Sequence, residues 1–350
     1  MRMSRRIMTL RPRGEPRLVY EGVAPYPLTT ARSNLAAATA GDYAIFGGGT
    51  SSSSTIVSTV NAFDSSLTRT VPTGMGATAY NYAAASANQE RVVFAGGSTN
   101  TTNNTYATNS VTFYTSTLGR GTTTLTYTTQ NAAGVSAGTY ALIAGGHQNS
   151  GTNVYHATVN AFTPLGTRST PTALSLGRQS AQAASVDGVA FIAGGYGSSG
   201  VVGNVDRYDA SLTRTTVTAL STVKMNGAAT NIGDYVLIGG GGVTTSSTSN
   251  VVNAYTAAGT RTIATALSTA RYHLRATTIG DFAIFAGGNA AGNGTVVDVY
   301  DAALTRTVHP NPLSVARTSA AGVSVGNYAL FGGGNTGSTY HNSIDVYTIR

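Results

Sequence analysis

The sequence contains no cysteine and no tryptophan, and among its 350 residues there is one lysine, Lys224, and three glutamates, Glu15, Glu21 and Glu90. Without cysteine there are no disulfides, no thiolate metal sites and no cysteine nucleophile. So few glutamates leave little material for general acid–base or glycosidic chemistry, which needs positioned carboxylates. No apolar run approaches the ~18 residues of a membrane-spanning helix. The opening MRMSRRIMTLRPRGEPR begins basic but has no apolar h-region, so no signal peptide is expected.

What the chain has in quantity is glycine, 43 residues, together with Ser, Thr and Asn, while charged residues make up only 10%. The 41% apolar content suffices for a core, and the whole points to short strands joined by many turns. The net charge of +8 is uneven: residues 1–17 hold six arginines against one glutamate, leaving the remainder close to neutral. Arg2, Arg5, Arg6, Arg11 and Arg13 therefore define a basic arm over residues 1–16.

Self-similarity decides the architecture. An apolar run ending in Gly-Gly recurs as IFGGG, VFAGG, LIAGG, FIAGG, LIGGG, IFAGG and LFGGG, with penultimate glycines at 48, 96, 145, 194, 240, 287 and 333. Each is followed by a second landmark: VNAFD (60–64), VTFYT (111–115), VNAFT (159–163), VDRYD (205–209), VNAYT (252–256), VDVYD (297–301) and IDVYT (344–348). Six of the seven continue into a third, at Arg69, Arg120, Arg168, Arg214, Arg261 and Arg306. The chain is thus seven units of four short strands. The last run also spells G-x-G-x-x-G at 332–337, but no helical pattern follows to hold a pyrophosphate, so it reads as a repeated strand end.

These landmarks resemble the kelch repeat over about residues 18–350. The resemblance implies an all-β, seven-bladed kelch-type β-propeller with four strands per blade, spanning residues 17–350. The fourth-strand tryptophan usual in that family is absent here, with Thr, Val and Arg in the corresponding strand. The seventh unit ends after its third strand, and Arg17–Glu21 precedes the first inner strand as the Thr-Arg-Thr strands precede the others. The N-terminal strand is therefore expected to complete the last blade, which removes two open sheet edges.

Aligning the units gives a column at Arg32, Ala79, Thr129, Arg178, Lys224, Arg271 and Arg317, and two residues on a polar column at Asn34, Asn81, Asn131, Ser180, Asn226, His273 and Ser319. Residues i and i+2 share one side of a strand. The kelch pattern commonly starts its inner strand with arginine, so the resemblance places both columns at one mouth of the channel as ligand contacts. The loops after Gly-Gly open on the same face and contribute Tyr106, His147, Tyr155, His156, Tyr196, Tyr340 and His341, a mixture like that of binding loops.

No carboxylate falls in either column, and the five histidines lack metal-ligand spacing, so neither catalytic residues, metal nor cofactor are expected. Kelch enzymes of the galactose oxidase type require a Cys-Tyr crosslink that this chain lacks. The closely similar repeats and the basic start resemble kelch proteins carried by bacterial prophages beside tail genes. That resemblance implies a non-enzymatic virion component, docked to other particle proteins through residues 1–16 and recognising a host-surface glycan or protein. The alternatives are a kelch-type carbohydrate enzyme such as a sialic-acid mutarotase, or a cellular interaction scaffold. Nucleic-acid binding through the arm is the weakest reading, because the propeller body is nearly neutral.

Overall fold

The computed structural model describes residues 16–53, 55–76, 83–88, 90–99, 106–149, 151–244, 246–289 and 294–350. No α-helix occurs among them, and none of their segments is a helix long and apolar enough to cross a membrane. Seven four-stranded antiparallel sheets follow one another as blades. Blade one consists of Ala36–Ala40, Tyr43–Gly47, Val60–Phe63 and Arg69–Thr70, and blade four of Gln182–Val186, Val189–Ala193, Val205–Tyr208 and Arg214–Val217. Each innermost strand lies beside the next until the seventh meets the first. The result is a closed seven-bladed β-propeller.

Blade seven is assembled from both ends of the chain: Ala321–Val325, Tyr328–Gly332 and Ile344–Ile349 are joined on the outside by Leu18–Val23. The pairing runs from Leu18 opposite Ile349 to Val23 opposite Asp345, and Arg17 and Arg350 exchange both backbone hydrogen bonds at 3.0 Å. The expected closure is therefore present.

Burial explains the landmarks. The second strands are nearly all apolar because both faces are covered by neighbouring blades: Ile45, Phe46, Leu142, Ile143, Leu237 and Ile238 have no exposed surface. The third-strand aromatics Phe63, Tyr114, Phe162, Tyr208, Tyr255, Tyr300 and Tyr347 are equally buried. Their phenol hydroxyls donate to loop carbonyls, as Tyr208 does to Thr172 at 2.8 Å and Tyr300 to Thr265 at 2.7 Å. Phenylalanines of the second strands pack against these aromatics, with Phe285 edge-on to Tyr300 at 5.6 Å.

The Gly-Gly strand ends join the blades. The amide of Gly146 donates to the carbonyl of Arg178 in the next blade at 2.8 Å, and Gly97, Gly195, Gly241, Gly288 and Gly334 make the same bond to Thr129, Lys224, Arg271, Arg317 and Arg32. At the preceding glycine, Gly145, φ is +68° and a Cβ would stand 2.5 Å from that carbonyl oxygen. Only glycine allows the backbones this close. Gly333 and Gly334 follow the rule, and the chain then enters a small hairpin, Asn335–Thr336 against Thr339–Tyr340, rather than a helix.

Candidate functional site at the channel mouth

The two columns do not share one environment. Arg178, Arg271 and Arg317 are buried, and each lies 2.8 Å from the aspartate of its own third strand, Asp206, Asp298 and Asp345. Asp206 also receives Arg214 at 3.0 Å, and Asp298 receives Arg306 at the same distance. Where the third strand carries Asn, the partner changes. Arg32 donates to Asn61 at 3.1 Å, and Lys224 has no aspartate, donating instead to the carbonyl of Val251 at 2.7 Å. Burial lowers the Arg32 pKa to about 10 and that of Lys224 to about 7. The placement of Arg32, Arg178, Lys224, Arg271 and Arg317 at an open mouth is thereby corrected. They are sealed inside the blades and hold strands together.

The physical reason is a break in strand alternation. Asn34, Asn131, Ser180, Asn226, His273 and Ser319 all have φ between 52° and 56°, the left-handed region. Asn and His tolerate this conformation better than most residues, and Ser is the less usual occupant. This turn precedes the inner strand and re-aims the chain, so the cation two residues earlier points into the blade.

The polar column does face the channel. Its backbones form a head-to-tail chain of hydrogen bonds around the axis: Ser180 donates to Asn131 at 2.9 Å, Asn226 to Ser180 at 3.1 Å, His273 to Asn226 at 2.7 Å, Ser319 to His273 at 3.2 Å and Asn34 to Ser319 at 2.9 Å. Asn81 lies outside the described residues, as does Ala79. With these backbone groups satisfied by one another, the side chains are the part left for the channel.

A cavity of about 400 Å³ opens at this ring, lined by its six described members together with Gln179, Tyr196, Met225 and Arg275. Below it the throat narrows to small residues such as Ala37, Ala85, Gly134, Ala183, Ala229, Ala276 and Gly322. Among the described lining residues of mouth and throat, Arg275 is the only charged one besides the titratable His273. Burial, with the nearby Arg275 charge, lowers the His273 pKa to about 4, so the ring is neutral at physiological pH.

One side of the rim is aromatic. The hairpin His147–Asn149 with Asn153–Tyr155 and the hairpin Tyr196–Gly197 with Gly200–Val201 rise from blades three and four. Tyr155 stands between His147, at 5.2 Å, and Tyr196, at 5.8 Å, and Tyr196 reaches the cavity. His147 is buried and bonds Asn153 through Nε2 at 2.8 Å, so it braces the hairpin. His156 packs on Tyr127 at 4.4 Å instead of joining this row, and burial lowers its pKa. Tyr340 and His341 belong to the blade-seven hairpin, where His341 bonds Thr336 at 2.9 Å, and Tyr106 is exposed. Arg2, Arg5, Arg6, Arg11 and Arg13 lie outside the described residues. Among those described, no group of three His, Cys, Asp or Glu residues is placed to hold a metal.

Arg275 and Gln179 were not singled out by the sequence. Arg275 had a visible signal: it opens an inner strand where five of the other six open with alanine. That exception is what places a guanidinium in the channel.

No protein-family model matches the chain, and no curated protein matches it. Among solved structures, 611 chains match. One, "Structure of YjhT", superposes with a TM-score of 0.63 at 13% identity, covering 81% of this chain and 99% of that one. At that identity the likeness concerns the fold.

Proposed function

We propose that the protein is a non-enzymatic recognition propeller that binds a glycan, or a glycan-bearing protein, at the channel mouth. The supporting observation is the pairing of an aromatic row, Tyr155 and Tyr196, with amide and hydroxyl side chains at one cavity edge, Asn131, Gln179 and Ser180. Sugar rings present apolar faces and hydroxyl edges, and such a surface offers stacking to one and hydrogen bonds to the other. The described lining contains no carboxylate to act as acid or base.

The kelch-like repeats and the resemblance to prophage tail-associated proteins extend this reading to a virion component, with residues 1–16 docking the propeller and the mouth facing the host. Glycan-array binding of the full chain tests the first part. Tyr196→Ala is expected to abolish the signals that the parent gives, and an array without any signal overturns the reading. Deleting residues 2–16 tests the second: unchanged incorporation into particles removes the docking role.

A carbohydrate enzyme is the second reading. It is favoured by the adjacency of a neutral His273 and the cationic Arg275 in one cavity. Catalysed sugar anomer exchange that is lost in His273→Ala would select it over simple binding.

A further inference from the structure

Arg275, half-buried in the channel wall, differs from the fully buried cations of the propeller. Its Nε donates to the Ala320 carbonyl at 2.6 Å and its Nη1 to the Leu274 carbonyl at 3.0 Å. Those two bonds fix the plane of the guanidinium between blades six and seven. Nη2 has no hydrogen-bond partner among the described residues, and the side chain lines both the mouth cavity and the throat beneath it. Among the described residues no Asp or Glu pairs with it, whereas Arg178, Arg271 and Arg317 each have an aspartate at 2.8 Å. Arg32 and Lys224 also lack an acid, but both are sealed with no exposed surface, against Asn61 and the Val251 carbonyl.

A charge partly withdrawn from water is costly unless it is paired, and protein interiors usually supply the counter-charge. Here the walls around it are alanine, glycine and neutral amides. Burial accordingly lowers the Arg275 pKa to about 10, which still leaves it fully charged at physiological pH. A fixed cation at the base of a water-accessible cavity, with an unused donor edge, is suited to a small oxyanion, because guanidinium hydrogen bonds to such groups are charge-assisted. Asn226, which also lines the cavity, offers a side-chain amide as a further donor on the preceding blade.

We propose that Arg275 forms the floor of an oxyanion site in the propeller channel, taking either free inorganic phosphate or a carboxylate. The site is independent of the aromatic rim: it would operate whether or not a glycan binds at Tyr196.

The test uses the full chain at constant ionic strength, with chloride as the reference anion. Phosphate and acetate are titrated separately, following the 31P linewidth of phosphate and the methyl saturation-transfer signal of acetate. The wild type is expected to broaden the phosphate line or saturate the acetate methyl, and whichever responds names the ligand chemistry. Arg275→Gln is expected to weaken that response about tenfold or more, the loss typical of one charge-assisted bond. Arg275→Lys, which keeps the charge without the fork, is expected to retain part of it. Neither anion responding with wild type overturns the proposal. So does a response that survives undiminished in a folded Arg275→Gln chain, and if that variant does not fold, the same comparison is made with Arg275→Lys, where an unchanged response overturns it.

Discussion

The hydroxyl of Tyr20 donates to Asp345 across 2.7 Å of space and 325 residues of sequence. In register, Tyr20 faces Tyr347 where Arg214 faces Tyr208 and Arg306 faces Tyr300. It therefore takes, in the blade closed by the N-terminus, the place that an outer-strand arginine holds elsewhere. Burial and the Asp345 carboxylate raise its pKa to about 12.

Tyr20→Phe should consequently cost about 1.5–3 kcal/mol, the range for a hydrogen bond to a charged group. Chemical denaturation measures it. The folded pKa lies above the unfolded value of 10.0, so the stability linked to this hydroxyl is present below pH 10 and is lost as pH rises toward about 12. A Tyr20→Phe chain should show a smaller loss of stability than the parent over that interval. An equal loss in both would assign the effect to other tyrosines.

The Arg–Asp pairs make a second prediction in two directions. Asp206 accepts from Arg178 and Arg214 and also from the amide and hydroxyl of Ser175. Asp206→Ala leaves two arginines without a counter-charge and is expected to cost ~3–5 kcal/mol. In blade one the same position is Asn61, and Arg32 leaves Nε and Nη1 buried without partners among the described residues. Asn61→Asp, which copies blades four, six and seven, should stabilise the propeller by about 1–2 kcal/mol. Thr29, whose amide and hydroxyl already donate to Asn61, is placed as Ser175 is to Asp206. A lower melting temperature for Asn61→Asp would contradict the account.

The propeller was legible because each repeat states the same solution, and seven copies average out local ambiguity. The polar column was legible for the same reason. The fate of Arg178, Arg271 and Arg317 was not, since a two-residue spacing implies a shared face only while the backbone stays extended. A left-handed residue between cation and strand breaks that premise, and its signature was the Asn, Ser and His of the polar column itself. The ion pairs left a trace too: arginine accompanies every V-D or I-D third strand, but Arg, Thr and Lys accompany V-N. Arg275 left its trace as an exception to the repeat, an arginine where five of the other six inner strands open with alanine, and a search for what the units share passes over such a residue.

The left-handed ring yields a third prediction. Asn226 has a φ of 54°, a conformation that β-branched residues avoid strongly. Asn226→Val should cost ~1–3 kcal/mol in thermal melts, whereas Asn226→Gly, which adopts this φ freely, should stay within about 0.5 kcal/mol of the parent. Similar losses from the two would locate the role of Asn226 in its side chain rather than its backbone.

Lys224 carries the last prediction. It occupies the cation column with no exposed surface, yet its third-strand neighbour is Asn253, whose Oδ1 accepts from the Ser221 amide. Burial lowers the Lys224 pKa from 10.5 to about 7, and no carboxylate raises it again. The folded value lies below the unfolded one, so the unfolded chain binds more protons between them and stability must rise with pH from about 7 upward. Urea denaturation between pH 7 and 9.5, below the range where tyrosines titrate, should reveal that slope in the parent. Lys224→Met should flatten it by removing the titrating group. Asn253→Asp should flatten it by another route, since an aspartate beside the ammonium keeps it charged in both states, as Asp206 is placed to do for Arg178 in blade four. Parent-like slopes in both variants would show that Lys224 is already protonated in the folded propeller, and the cation column would then tolerate a buried charge without an acid.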